Sequence, residues 1–367
     1  MSSILLFIAV LVGLIVVHEF GHFIVAKRAG IRVDEFGLFF GPRLFKKRLG
    51  ETDYTINLWP IGGFVRIFGE NPDEIEDADT DRSRAFFSKP WYVQAAVLVA
   101  GVSFNVLAAW FLFSAAFMIG VPANATEGQR VIENARLTIA SVLPDSPASL
   151  ASLRPGDVIV GLSAPEIALS ELTPEAAASF IRDHGSRSLT IAYERSSVVH
   201  TVSVMPEQSV IEGEAERAAI GISMGLIGTL KLPLHLALVE GFTRTIALTG
   251  AVAVGILAFL GDALTLQADF SQVAGPVGIV SLVGDAAELG VVSLLTFAAI
   301  ISLHLAVINL LPIPALDGGR LLFVLVEAIK GSPIRPSVTA TVNAAGFALL
   351  ILLMVAVTYN DILRLIL

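Results

Sequence analysis

The sequence predicts a polytopic α-helical membrane protein with a membrane-associated β region and one inserted extracytoplasmic α+β domain. Hydrophobic residues make up 54% of the 367 residues and charged residues only 16%, which is more apolar than an ordinary soluble chain. Four stretches approach the roughly 20 apolar residues that a helix needs to cross a bilayer. Two polar segments between them alternate polar and apolar residues, as strands do. The predicted spans are residues 3–26, 94–119, 289–311 and 338–358.

The charge and the cysteine content exclude several functions. The formal net charge is -9, and no segment supplies the concentrated basic surface that nucleic acid requires. The chain contains no cysteine, which excludes disulfides and thiolate metal sites. Any bound transition metal must therefore use His, Asp or Glu.

The distribution of lysine and arginine predicts the topology. Basic residues are frequent in 27–93 and 318–337, and such residues near membrane ends stay preferentially in the cytoplasm. The ends of the spans that face the 121–230 domain are poor in lysine and arginine, so we place that domain outside the cytoplasm. In order, the parts are 1–26 (first span), 27–93 (cytoplasmic-side, membrane-associated β loop), 94–120 (second span), 121–230 (extracytoplasmic domain), 231–288 (linker), 289–317 (third span), 318–337 (cytoplasmic loop) and 338–367 (fourth span and C-terminus).

One apolar segment, at 245–261, leaves two interpretations open. It is about 17 residues long, at the lower limit for a span, so it either crosses the membrane or lies along its surface. Its Gly, Thr and Ala content makes it less apolar than the other four stretches. We favour an interfacial or tucked helix.

The motif HEFGH, at residues 18–22, lies inside the first apolar stretch. On a helix, His18 and His22 project from one face and Glu19 lies beside it. Two imidazoles at this spacing can share a zinc ion, and the adjacent carboxylate can take a proton from water. HExxH alone is a loose pattern, but an ionised glutamate in a membrane helix costs at least a few kcal/mol and needs a partner. The alternative is a pair of histidines that hydrogen-bond to neighbouring helices.

A hydrolytic zinc site needs a third protein ligand, and Asp317 in NLLPIPALDGGRLLF is the best candidate. Pro312 and Pro314 interrupt the helix just before it, and irregular backbone at membrane depth occurs beside protein or a wet cavity. Alternatively, LDGG is an ordinary helix-ending turn. His22 lies roughly 6 Å from the cytoplasmic end of its helix. Asp317 reaches that level only if 245–261 does not cross, which favours four spans.

Together, five segments resemble the site-2 proteases, a family of intramembrane zinc metalloproteases, and in particular their bacterial regulator-of-sigma-E protease branch. The segments are HEFGH, YTINLWPIGGFVRIFGE, GVSFNVLAA, a PDZ-like domain that includes ASVLPDSPASLASLRPGDVIVGLS, and NLLPIPALDGG. The resemblance covers nearly the whole chain. It implies that His18, His22 and Asp317 bind Zn²⁺ and that Glu19 is the catalytic acid/base.

The resemblance also implies four substrate-binding residues: Asn105, Asn309, Pro312 and Pro314. For the two asparagines, the alternative is a hydrogen bond between helices. This chain departs from the family at Gly101-Val102, where Gly-Pro is usual, so the second helix has a weaker bend or none. It also has His304 where the family often has Asn, and we interpret His304 as a polar contact within the bundle.

Two segments are expected to contact peptides. PDZ domains bind peptides by strand addition, although the domain can instead serve only to exclude bulky ectodomains. The family has a membrane-associated β element beside the active site that pairs with substrate. The resemblance implies that YTINLWPIGGFVRIFGE is this element. The alternative is a membrane-surface hairpin anchored by Trp59 and Phe64.

The resemblance predicts a zinc metalloendopeptidase that cleaves within the membrane span of a single-span protein already trimmed outside. The expected substrate is an anti-sigma factor. The alternatives are remnant signal peptides, or a metal-binding transporter or adaptor. The expected location is the bacterial inner membrane, with the active site toward the cytoplasmic side. The expected partners are the lipid bilayer, the single-span substrate and a peptide ligand of the PDZ-like domain.

Overall fold

The computed structural model describes the chain as two compact units, residues 1–118 with 233–367 and residues 119–232. The described residues are 2–70, 82–125, 132–185, 187–195, 198–208, 210, 218–265, 267 and 273–366.

The first unit is mainly helical. Its elements are α1 (Ser2–Arg28), β1 (Val33–Leu49), β2 (Thr52–Ile67), α2 (Trp91–Ile119), α5 (Leu234–Leu264), α6 (Pro276–Glu288), α7 (Val291–Leu310), α8 (Asp317–Lys330) and α9 (Pro336–Ile366). Five helices among the described residues are long and apolar enough to cross a membrane. Four of these match the predicted spans, and the fifth is α5.

Helix α5 contains the segment that was hard to interpret from the sequence. The apolar residues 245–261 lie inside one continuous helix of 31 residues. At 1.5 Å per residue a helix of this length reaches roughly 45 Å, so its length alone permits a crossing. The number of crossings stays a prediction.

The chain between α7 and α8 differs from the predicted 289–317 span. Helix α7 ends at Leu310, and Asp317 is the first residue of a separate helix, α8. The two prolines account for the break, because each lacks a backbone donor. The predicted loop 318–337 therefore contains most of a 14-residue helix.

The β region is a sheet of two long bent strands that behave as four segments. Residues 35–38 of β1 pair with 53–56 of β2 on one side, residues 33–38 pair with 63–67 on the other side, and residues 43–49 pair with 52–57. The segment 63–67 therefore forms one edge of the sheet. Phe23 of α1 packs on this sheet, with its ring centroid 5.4 Å from that of Phe36.

Two ion pairs fix the turn between β1 and β2. The carboxylate of Glu51 pairs with Lys27 at the end of α1, at 2.6 Å, and with Arg84 at 2.8 Å. These hydrogen bonds to two cations lower the pKa of Glu51 to about 2. The turn is thereby held against the last turn of α1.

The second unit is a seven-stranded sheet with two short helices. Its elements are β3 (Val121–Asn124), β4 (Glu133–Val142), α3 (Pro147–Leu150), β5 (Val158–Ala164), β6 (Ile167–Ala168), α4 (Pro174–Asp183), β7 (Leu189–Arg195), β8 (Val198–Val204) and β9 (Ile222–Leu230). The strand order is β3-β9-β4-β5-β7-β8, and β6 pairs with β5. Leu137, Ile139, Leu189 and Ile191 are among its buried core residues.

A buried carboxylate fixes the turn before β5. Asp157 accepts two hydrogen bonds from the Arg195 guanidinium, both 2.7 Å, and one from the backbone amide of Arg154 at 2.8 Å. This two-point geometry is stronger than a single contact. It fixes the Arg154-Pro155-Gly156-Asp157 turn against β7.

A second buried carboxylate caps α6. Asp361 of α9 is 4% exposed and accepts hydrogen bonds from the backbone amides of Gly275, at 3.1 Å, and Gly278, at 2.9 Å. The first amides of a helix have no partner within the helix, and a carboxylate there also meets the positive end of the helix dipole. Asp361 therefore joins α6 to α9.

We expect Asp361→Ala to lower the thermal unfolding temperature of the purified protein. A lost cap typically costs about 1 kcal/mol, and the two amides would remain buried without an acceptor. Asp361→Asn keeps one acceptor and should lose less. The control is Asp285→Asn on the exposed side of α6. An Asp361→Ala variant as stable as this control would contradict the capping role.

Candidate metal centre

The helical period brings His18 and His22 to one face of α1. Both are buried, 8% and 7% exposed, and their Nε2 atoms are 3.2 Å apart. Their Nδ1 atoms contact α2: Nδ1 of His22 lies 2.8 Å from the carbonyl oxygen of Val97, and Nδ1 of His18 lies 3.2 Å from Nδ2 of Asn105. Both Nε2 atoms are thus left for a shared ligand.

Asp317 completes the cluster from the N-terminus of α8. Its Oδ2 atom is 3.0 Å from Nε2 of His18 and 3.2 Å from Nε2 of His22. The backbone approaches closely here, because a Cβ added to Gly318 would lie 2.2 Å from the carbonyl oxygen of Leu311. Only glycine permits this packing, which places Asp317 opposite α1.

These three side chains fit a zinc ion. Ligand atoms about 2.0–2.1 Å from a tetrahedral zinc lie roughly 3.3 Å apart, close to the three separations found here. The buried Oδ2 of Asp317 has no hydrogen-bond partner among the described residues, as expected of an atom that serves a metal. The described residues contain one such group of three potential ligands. Two imidazoles and one carboxylate leave a fourth position open.

Small residues let α1 and α2 approach each other at the cluster. A Cβ added to Gly21 would lie 2.5 Å from the carbonyl oxygen of Ala100. A Cβ added to Gly101 would lie 2.2 Å from Nε2 of His22 and 2.8 Å from Cε1 of His18. Glycine at these positions is therefore required by the packing of the two histidines.

Glu19 lies between the histidines and the sheet edge. The backbone of Val65, in the edge segment 63–67, lies near the carboxylate of Glu19. A Cβ added to Gly63 would lie 3.5 Å from Cγ of Glu19. The edge segment 63–67 thus lies beside the residue predicted to move protons.

A cavity of about 240 Å³ opens onto this cluster. It brings together five of the predicted site residues, from four different helices: His18, Glu19, Asn105, Asn309 and Asp317. The other residues that line it are Ile15, Leu305, Ala315 and Leu316.

Besides His22, three predicted residues lie outside the lining of this cavity. Pro312 and Pro314 precede α8, and Pro314 packs against Gly346 of α9, so they shape the backbone. His304 is exposed, and its Nδ1 lies 2.9 Å from the carbonyl oxygen of Ile300 in its own helix. The expected contact of His304 with another helix is therefore not among its hydrogen bonds.

Several residues around the site were not predicted from the sequence. Arg320, one turn after Asp317, pairs with Glu70, which follows β2. This pair joins the end of the edge segment to the helix that carries Asp317. Val65 and Gly101 were also missed as contacts of Glu19 and His22. A charged residue one helical turn from a predicted ligand was the available signal for Arg320.

This site, in a chain with several apolar helices, defines a membrane zinc metalloprotease. The model of peptidase family M50 matches residues 6–353, and the chain belongs to this family. The cofactor of the family's zinc metalloproteases is Zn²⁺, which agrees with the donor set found here.

Full-length relatives agree with this assignment. The zinc metalloprotease RasP of Geobacillus kaustophilus is 32% identical over 434 residues, covering 99% of this chain and 98% of the relative. The regulator of sigma-W protease RasP of Bacillus subtilis is 30% identical, covering 99% of each chain. A putative zinc metalloprotease of Clostridium perfringens is 34% identical, covering 96% of each.

Proposed function

We propose that the protein is an intramembrane endopeptidase that cleaves within the span of a single-span membrane protein already shortened on its outer side. One observation carries this proposal: three ligand atoms within 4.8 Å of one another lie in apolar helices, next to a glutamate and a sheet edge. A protease of water-soluble substrates has no need for such a location. A protease whose substrate is an unwound membrane helix needs its metal at this depth.

In the proposed mechanism His18, His22 and Asp317 would hold the zinc ion. Bound zinc supplies a Lewis acid that polarises a peptide carbonyl and makes water more acidic. Glu19 takes a proton from the attacking water and delivers it to the leaving amine. The amide of Asn309, which lines the cavity, is placed to donate a hydrogen bond to the substrate backbone.

The sheet edge supports the unwinding of substrate. Amides within a helix are shielded by their own hydrogen bonds, so a span must become extended before it is cut. Segment 63–67 pairs with β1 on one side, and its other side faces Glu19. Strand pairing there would present an extended substrate to the metal. Pro312 and Pro314 support this by breaking the helix just before Ala315 and Leu316, which line the cavity.

Contacts within the first unit support four crossings. Gly284 of α6 packs against Ser3 at the start of α1, and Asp361 near the end of α9 caps α6. These three ends therefore share one side of the membrane. Trp110, in the second half of α2, donates a hydrogen bond to the carbonyl oxygen of Leu238 in the second turn of α5, so α5 begins on that side too.

It follows that α5 starts, and α6 lies, on the same side. A single crossing by α5 would place α6 on the opposite side from the start of α5, which these contacts do not support. We therefore place α5 as a tucked helix. The ligands lie toward the cytoplasmic side, and the 121–230 domain is extracytoplasmic.

We interpret that domain as PDZ-like, with a peptide-binding edge on β9. Residues 222–229 of β9 pair with β4, whereas β3 pairs only with 227–230. In the described part of the domain, residues 222–225 thus have one edge without a strand partner. Such an edge is where a peptide would add.

The proposed natural substrate is an anti-sigma factor, because one relative is named a regulator of sigma-W protease. Remnant signal peptides are the alternative. Both are single membrane helices with little mass outside, so the chemistry of the site serves either.

The test uses the purified full chain in proteoliposomes with a single-span substrate, supplied with or without its outer domain. We expect cleavage of the shortened form alone, its loss after zinc chelation and its recovery on zinc addition. Mass spectrometry of the products should place the cut inside the span. A cut outside the span, or cleavage that chelation does not affect, would contradict the proposal.

A further inference from the structure

The environment of Asn105 indicates a role different from substrate binding. Asn105 is completely buried in α2, and its amide lies 3.2 Å from Nδ1 of His18. We propose that Asn105 is a positioning residue: its amide oxygen accepts the Nδ1 proton of His18 and thereby holds that ring with Nε2 free for the metal. This inference rests on the proposed metal site.

The chemistry of imidazole requires such an acceptor. A neutral histidine that binds metal through Nε2 carries its proton on Nδ1 and must donate it. Nδ2 of Asn105 is the nearer amide atom, and its Oδ1 is a buried atom without a hydrogen-bond partner among the described residues. Rotating the amide by 180° exchanges the two atoms without moving the rest of the side chain. Oδ1 then accepts from Nδ1 of His18 and is no longer unsatisfied.

His22 shows the same arrangement with a backbone partner. Its Nδ1 lies 2.8 Å from the carbonyl oxygen of Val97, also in α2. One helix therefore supplies the acceptor for both histidines. The two differ in one respect, because the partner of His22 is part of the backbone and cannot be removed by substitution. The orientation of His18 depends on a single side chain.

A third helix fixes Asn105 itself. The hydroxyl of Ser302, in α7, donates a hydrogen bond of 2.8 Å to the backbone carbonyl of Asn105, and Ser302 is fully buried. The hydrogen bonds between Ser302 and Asn105 and between Asn105 and His18 thus form a continuous buried series. Such a fixed side chain suits a residue that positions a metal ligand better than one that must adapt to varied substrates.

Zinc affinity tests the inference directly. Asn105→Leu keeps the approximate size and removes the acceptor, so we expect zinc to bind roughly 10–100-fold more weakly in competition with a chelator, the range found for lost outer partners of metal ligands. Asn105→Asp restores an acceptor and should restore affinity. Ser103→Ala, an exposed polar position in the same helix, should leave it unchanged.

Two further readouts separate positioning from substrate binding. The visible spectrum of the Co²⁺-loaded protein should change in Asn105→Leu and recover in Asn105→Asp. In the zinc-loaded natural chain, ¹⁵N-histidine spectra should show a hydrogen-bonded Nδ1 proton on His18 that exchanges slowly, and this measurement needs no variant to fold.

The outcomes are distinct. An Asn105→Leu variant with unchanged zinc affinity and a raised KM would overturn the inference in favour of substrate binding, and so would a rapidly exchanging His18 Nδ1 proton. If the natural chain binds no stoichiometric zinc, the proposed function fails first. If it binds zinc and Asn105→Leu binds it equally well, only this inference fails.

Discussion

Replacing Glu19 with Gln is expected to leave zinc bound and to slow cleavage by roughly 10²–10⁴-fold, the usual contribution of a general acid/base. The carboxylate is not among the three converging ligand atoms, so the metal should remain. Gln has nearly the same shape as Glu, so it can occupy the same place beside Val65. What is lost is the ability to take up and release a proton. Zinc content per chain and single-turnover cleavage of a reconstituted substrate measure the two effects separately.

Glu288 gives a matched control for this change. It is exposed at the end of α6, and Glu288→Gln alters the formal charge by the same amount. We expect its zinc content and turnover to equal those of the unaltered chain. Loss of zinc in Glu19→Gln would mean that Glu19 serves the metal, and unchanged turnover would remove it from the mechanism.

The local part of the site could be predicted because one helix contains it. Once residues 18–22 are helical, the helix geometry fixes how His18, Glu19 and His22 face one another, whatever surrounds them. The prediction that Asp317 joins them needed a non-local step, from depth in the membrane and from the two prolines. The structure brings its Oδ2 within 3.2 Å of both Nε2 atoms.

Helix continuity was harder to infer. Glycine after Asp317 is compatible with a turn, but Gly318 and Gly319 are needed for close backbone packing and α8 continues through them. In α5, Glu240 and Arg244 interrupt the hydropathy pattern, so the apolar segment looked short. A helix is held by its own backbone hydrogen bonds and tolerates polar side chains. Hydropathy therefore located the apolar part of α5 and missed the ends of the helix.

The contacts of the β region could not be read from the sequence at all. Strands were predicted there, but each strand bends and pairs twice, with register shifts along its length. A one-residue slip in a strand changes the face of every side chain. The contact of Val65 with Glu19 depends on this register and on the docking of the sheet against α1. Both are set by packing between distant segments.

Gly101→Ala is expected to abolish most zinc binding and cleavage while the two units still fold. The added methyl group would lie 2.2 Å from Nε2 of His22, so either the ring or α2 must move. Overpacking of this kind typically lowers the free energy of unfolding by about 1–3 kcal/mol, which a stable protein can lose and remain folded. A ligand displaced by about 1 Å can cost on the order of 10²-fold in rate. Zinc content, cleavage rate and thermal unfolding temperature measure the three quantities.

Gly13→Ala separates this steric effect from a general effect of alanine. Gly13 lies in α1, with no atom within 4 Å of an added Cβ, and alanine favours helix over glycine by about 1 kcal/mol. We expect this variant to bind zinc, cleave substrate and unfold as the unaltered chain does, or at a slightly higher temperature. If Gly101→Ala also keeps full zinc content and activity, α1 and α2 are not packed as closely at His22 as described. The histidine cluster would then need another support than the glycine contact between these helices.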